Sequence, residues 1–113
     1  MTKNYSALHE SMQTRTLANG LRICYLPKKG FSKTFAILAT DFGSVDASFT
    51  FEGKRYDTPA GVAHFLEHKM FEDEDGNALQ KFARTGASPN AFTSHTMTAY
   101  LFSCTDRFEE NLK

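Results

Sequence analysis

The sequence has no tryptophan, three prolines and only two cysteines among 113 residues. Cys24 and Cys104 alone are a weak basis for the disulfide framework of a small secreted domain. Both have apolar, strand-like neighbours and read as reduced core thiols. Charge of neither sign is in excess, since thirteen basic residues balance thirteen acidic ones. With no basic patch or charge run, nucleic acid is not an expected partner. No apolar run approaches the roughly 20 residues that cross a bilayer, so no membrane interaction is expected. Residues 1–10 contain one Lys, one His and one Glu, with no apolar core segment. They read neither as a secretory signal nor as an Arg-rich presequence, and a cytoplasmic location is expected.

What is present suits one small domain. Apolar residues make up 41% of the chain, and eleven Phe supply bulky filling for a core. Asn19-Gly20, between strand-like stretches at 14–17 and 21–26, signals a hairpin with a type I′ turn. Residues 34–42 are apolar and read as a buried strand, with a second piece at 47–51 and a turn at 53–57. Residues 59–71 and 77–84 have helical spacing, separated by an acidic connector at 72–76. Gly86 suits the C-terminal cap of the second helix. Residues 90–93 and 98–104 read as a hairpin around 95–97. Thr105 or Asp106 would cap a last helix over 107–113. This order predicts an α+β domain, a mainly antiparallel sheet with helices packed on one face.

The chemistry concentrates in His64-Phe65-Leu66-Glu67-His68. On a helix, two His four residues apart leave from one face, with Glu67 beside them. Two neutral imidazoles can bind Zn²⁺, and a nearby carboxylate can take a proton from the activated water. The order is H-x-x-E-H, the inverse of the commoner H-E-x-x-H. Chance would produce it about once in a hundred chains of this composition, so context matters. Thr58 is a suitable N-cap and Pro59 suits the first helical position. Val62, Phe65, Leu66 and Met70 then form an apolar arc to face a core, interrupted by Lys69, whose stem can pack while its ammonium snorkels. His64, Glu67 and His68 fall on the opposite arc. The alternative is a pair of solvated histidines on an ordinary amphipathic helix.

The stretch Gly61-Val62-Ala63-His64-Phe65-Leu66-Glu67-His68-Lys69-Met70-Phe71 has two companions downstream. They are Gly86-Ala87-Ser88-Pro89-Asn90-Ala91-Phe92-Thr93-Ser94 and Thr98-Ala99-Tyr100. In this order they strongly resemble the pitrilysin/insulysin family of zinc peptidases, which includes mitochondrial processing peptidases. Glu67-His68-Lys69-Met70-Phe71-Glu72 is most similar to bacterial processing-protease-like members. The resemblance implies Zn²⁺ on His64 and His68, with Glu67 as general base in a metalloendopeptidase acting on peptides or unfolded segments. It implies that the backbone of Asn90 and Ala91 pairs with an extended peptide and that Phe92 borders a side-chain pocket. It also implies the first part of a peptidase α/β roll.

A catalytic zinc site usually has three protein ligands, and only two good ones are evident here. The resemblance places the third, a Glu, in a later helix beyond Lys113. The chain therefore reads as a single partial N-terminal peptidase domain over 1–113, inactive by itself. His95 could supply a ligand but reads better as a hairpin-tip residue. Cys104 is a weaker candidate still, given its apolar strand neighbours. The rival function is a non-catalytic peptide-binding or assembly subunit, since the resembled family contains paired homologous subunits.

Overall fold

The computed structural model describes residues 1–73 and 76–113. It is α+β, with every strand pairing antiparallel. Residues 1–31 and 32–113 form two compact units.

The first unit is a three-stranded meander of β1 (Thr2–Tyr5), β2 (Glu10–Thr16) and β3 (Arg22–Tyr25). β1 lies where the sequence has no alternating apolar pattern. It forms because pairing with β2 satisfies its backbone, from Thr2 opposite Gln13 to Tyr5 opposite Glu10. The expected hairpin joins β2 to β3, but its turn is not type I′. Only Gly20 has positive φ, at 87°, and Asn19 accepts the Leu21 N–H through its side-chain oxygen. Cys24 is exposed on β3 rather than in a core, and both cysteines are free.

The second unit is built on β4 (Thr34–Thr40), β9 (Ser88–Thr93) and β10 (Thr98–Cys104), in the order β4-β10-β9. Between β4 and β9 come β5 (Ser48–Phe51), β6 (Lys54–Asp57), α1 (Val62–Lys69), β7 (Glu72–Asp73), β8 (Gly76–Asn77) and α2 (Ala78–Arg84). A short α3 (Phe108–Leu112) follows β10. The 53–57 region is not only a turn, because β6 pairs with β5 around Glu52-Gly53. Both turn residues have positive φ, 51° and 76°, so the conformation expected at Asn19-Gly20 occurs here instead. Part of the connector expected at 72–76 pairs as β7 with β8, while residues 74 and 75 lie outside the described residues.

α2 follows its sequence signals. The Asn77 side chain caps it by accepting the Leu79 N–H at 2.8 Å. Gly86, at φ 72°, lets the Ala87 N–H turn back to the Phe82 carbonyl. At α3 the cap differs, because Asp106 accepts the N–H of Arg107 and the helix starts at Phe108.

Cross-strand register places Ala36, Phe102 and Pro89 on one face of the sheet, together with Leu38, Tyr100 and Ala91. The helices pack on this face. Phe102, Cys104 and Ala87 form the buried cluster, against which Ala36, Phe82 of α2 and Phe108 of α3 pack. The Phe102 ring lies 5.5 Å from that of Phe82 and 5.7 Å from that of Phe108. β4 differs from its expectation. Among the described residues it is the outer strand of the sheet, and its Phe35, Ile37 and Leu38 are all more than half exposed.

A loop at 42–46 braces the β9–β10 turn. Ser44 and Val45 donate N–H groups to the carbonyls of Ser94 and His95, and the buried Thr98 hydroxyl bonds the Phe42 carbonyl at 2.8 Å. Gly43 is required by the closeness of this contact, since a Cβ there would lie 2.5 Å from the His95 carbonyl oxygen. Gly43→Ala should therefore lower folding stability by about 1–3 kcal/mol, the usual cost of forcing a methyl group into packed structure. Urea denaturation reads this directly. An unshifted midpoint would mean that the loop and turn separate easily.

Candidate metal centre

The motif helix is shorter than expected and starts differently. α1 runs Val62–Lys69 and is entered through Gly61 at φ 91°, with no side-chain cap. Thr58 is not its cap. Both its N–H and its hydroxyl bond the Ala47 carbonyl, tying the end of β6 to the chain before β5.

The face that α1 buries is also not the expected one. Its buried residues are Ala63 and Glu67, whereas Phe65, Leu66 and Met70 are exposed. α1 packs on β9 and β10, and the buried Glu67 meets Thr93 of β9 there. Small Ala63 permits close approach there. Lys69 lies over the Phe65 ring and pairs with Glu72.

His64 and His68 are exposed one turn apart, with ring centroids 4.8 Å apart. Their Nε2 atoms are separated by 3.1 Å. Without an ion, this is the distance of a hydrogen bond between a donor ring and an acceptor ring. Two Zn–N bonds of about 2.05 Å at a tetrahedral angle would put the nitrogens about 3.3 Å apart, so the pair also fits a shared zinc. One ligand atom from each of His64, Glu67 and His68 lies within 4.8 Å of the others.

Glu67 is 8% exposed, and a carboxylate that deep needs a partner. Thr93 of β9 provides it, donating its hydroxyl to Oε2 at 2.5 Å. Tyr100 of β10 also registers the carboxylate: burial first, and the Glu67 charge second, push its phenol above the ordinary value.

Asn90, Ala91 and Phe92 sit on β9, whose partner strand among the described residues is β10. Asn90 and Phe92 are exposed, and Ala91 is half-buried toward the helices. His95 is exposed in the β9–β10 turn and is not part of the metal-ligand cluster. Cys104 is buried beside Phe102, a core thiol as expected. Thr93 and Tyr100 were not singled out as site residues in the sequence. For Thr93 the available signal was a polar residue in phase with inward-facing Pro89 and Ala91.

The family model of insulinase, peptidase family M16, matches residues 49–110. The chain belongs to the M16 peptidase family. Among its relatives is YmfH of Bacillus subtilis, described as an uncharacterized zinc protease, which is 50% identical over 111 residues, covering 96% of this chain and 26% of YmfH. A "probable mitochondrial-processing peptidase subunit beta" of Schizosaccharomyces pombe is 36% identical over 94 residues, covering 78% of this chain and 18% of that protein. The crystal structure of an Alicyclobacillus acidocaldarius protein described as M16-like superposes with a TM-score of 0.84 at 41% identity, covering 91% of this chain and 24% of that one. The chain thus spans about a quarter of the length of YmfH and of the Alicyclobacillus protein. Among the described residues, no helix is long and apolar enough to cross a membrane.

Two imidazoles and a carboxylate already engaged by Thr93 should hold zinc only weakly in the 113-residue chain. In equilibrium dialysis, His64→Ala and His68→Ala should each abolish that binding, while His95→Ala should leave it unchanged. Tight stoichiometric binding that depends on His95 would reveal a ligand set different from this one.

Proposed function

We propose that this M16 chain is the N-terminal part of a zinc-dependent metalloendopeptidase that cleaves peptides or unfolded segments. The observation that carries this reading is the 3.1 Å separation of the two Nε2 atoms, with Glu67 on the same helix in reach of both. His64 and His68 would hold zinc. When bound, zinc supplies Lewis acidity to the attacking water and the scissile carbonyl. Glu67 accepts the proton of that water and returns it to the leaving amine. Its shielded position against β9 keeps bulk water from competing for the carboxylate. Two imidazoles fall short of the three protein ligands usual at a catalytic zinc, and the resemblance to zinc peptidases implies a third, a Glu, outside these 113 residues.

The β9 edge supports the substrate assignment. Ser94 donates its N–H to the Met97 carbonyl, marking that pair as hydrogen-bonded. Alternation along an antiparallel ladder then makes Phe92–Ala99 and Asn90–Leu101 bonded pairs. The backbone groups of Ala91 and Thr93 therefore point outward, to the side away from β10, whereas those of Asn90 face β10, so Ala91 and Thr93 rather than Asn90 and Ala91 offer main-chain groups to a peptide. The Ala91 N–H is taken by the Asn90 side-chain oxygen at 2.9 Å, so an added peptide strand displaces that carboxamide. Recognition through main-chain bonds makes sequence preference broad, with Phe92 beside an alternate side-chain site. The subunit name of the fission-yeast relative extends the proposal to a homologous partner subunit. A cytoplasmic location remains part of this reading.

In the full-length protein, Glu67→Gln should keep zinc and lose turnover by on the order of 10²-fold or more, the scale of general base catalysis. Metal analysis and a quenched-peptide assay on the same sample read the two properties. Wild-type turnover with zinc intact would refute the role of Glu67. In a peptide complex of that inactive variant, the substrate should run antiparallel beside β9. A peptide bound elsewhere, with this edge covered by another strand, would refute the recognition mode.

A further inference from the structure

We propose that Thr93 is a positioning residue for Glu67, its hydroxyl fixing one carboxylate oxygen so that the other is presented to the attacking water. The inference rests on the reading of Glu67 as general base. It assigns a role to a residue that touches neither the metal nor the reacting atoms.

The geometry has three parts. First, the Thr93 hydroxyl has one proton and donates it to Glu67 Oε2 at 2.5 Å. Thr93 is the one hydrogen-bond partner of that carboxylate among the described residues. A carboxylate held through a single oxygen keeps acceptor capacity on the other. Second, the hydroxyl is held by the sheet rather than by the helix. Thr93 sits opposite Thr98, which is 2% exposed. The Thr98 hydroxyl bonds the Phe42 carbonyl and lies 3.5 Å from the Thr93 hydroxyl. The turn that follows Thr93 is braced by the loop whose Gly43 admits no side chain. Third, Thr93 presents its backbone groups to the outer edge of β9, where a peptide would pair. One residue therefore sets the base and the substrate strand in a common frame. Side-chain rotation of a glutamate is otherwise free about three bonds, and a misplacement of about 1 Å at a reacting group can cost 10²-fold in rate.

A plain structural role is the competing account, in which Thr93 only satisfies a buried carboxylate. The two accounts separate in the full-length protein. Thr93→Val keeps the shape and removes the donor. It should lower kcat on the order of 10- to 10²-fold, with KM and zinc content unchanged. Thr93→Ser should restore most of the lost rate because it returns the hydroxyl. If Thr93→Val does not fold, Thr93→Ala serves as the donor-less variant. A crystal structure of the donor-less variant should show the Glu67 carboxylate turned from its wild-type position, a readout independent of activity. Wild-type kcat in that variant, alongside an inactive Glu67→Gln, would overturn the proposal and leave the base assignment standing. Equal impairment of Thr93→Ser and the donor-less variant would also overturn it, by pointing to packing. An active Glu67→Gln would instead remove the base reading on which the proposal rests.

Discussion

A carboxylate shielded from water must be hydrogen-bonded, and the arrangement around α1 follows from how Glu67 meets that demand. Its partner is on the sheet, so the helix has to turn its Ala63–Glu67 side toward β9 and β10. This orientation places the two imidazoles at the margin of the contact, exposed but fixed relative to the carboxylate. It also leaves Phe65, Leu66 and Met70 outward. An apolar arc of that size would ordinarily choose the buried face of an amphipathic helix. Here Ala63 and Glu67 are buried instead, while His64 and His68 stay exposed.

The sheet supplies the rigidity that such aiming needs. β10 is central, bonded to β4 along Thr98–Cys104 and to β9 on its other side. The Phe102–Phe82–Phe108 packing anchors α2 and α3 at the far end of the same strand. At the near end, the 42–46 loop grips the β9–β10 turn through backbone bonds and the close contact at Gly43. Thr93 lies between these fixed points. In the proposed chemistry, the base and the edge that receives a peptide are thus parts of one braced hairpin and the helix on it. Preorganisation of this kind avoids rearrangement at the moment of reaction.

The parts legible in the sequence were those with strong local signals. Asn77 as a cap and Gly86 as a helix stop have side-chain or backbone properties that act within a few residues, and both are observed. The β9–β10 hairpin is legible as two strand-like stretches around residues 95–97. The H-x-x-E-H spacing was visible as a ligand pattern, and the M16 match rests on the region that contains it. Other features depended on distant partners. β1 is a strand only because β2 runs beside it. Thr58, a good cap by identity, instead meets the Ala47 carbonyl. The apolar run of β4 suggests burial, and among the described residues, which span about a quarter of the length of YmfH, that strand is the outer one of its sheet. For the face of α1, periodicity weighs apolarity and carries no sign that Thr93, 26 residues away, donates to Glu67.

The central claim is that His64 and His68 hold a zinc ion beside a carboxylate oriented for proton transfer. Anomalous diffraction at the zinc edge, on crystals of the full-length protein, tests it most directly. The account predicts one strong peak at zinc-bond distance, about 2.0–2.1 Å, from both Nε2 atoms, with Glu67 in contact with Thr93 and not ligating the metal. A fully loaded crystal with its peak elsewhere, or with Glu67 drawn off Thr93 to become a ligand, would contradict it.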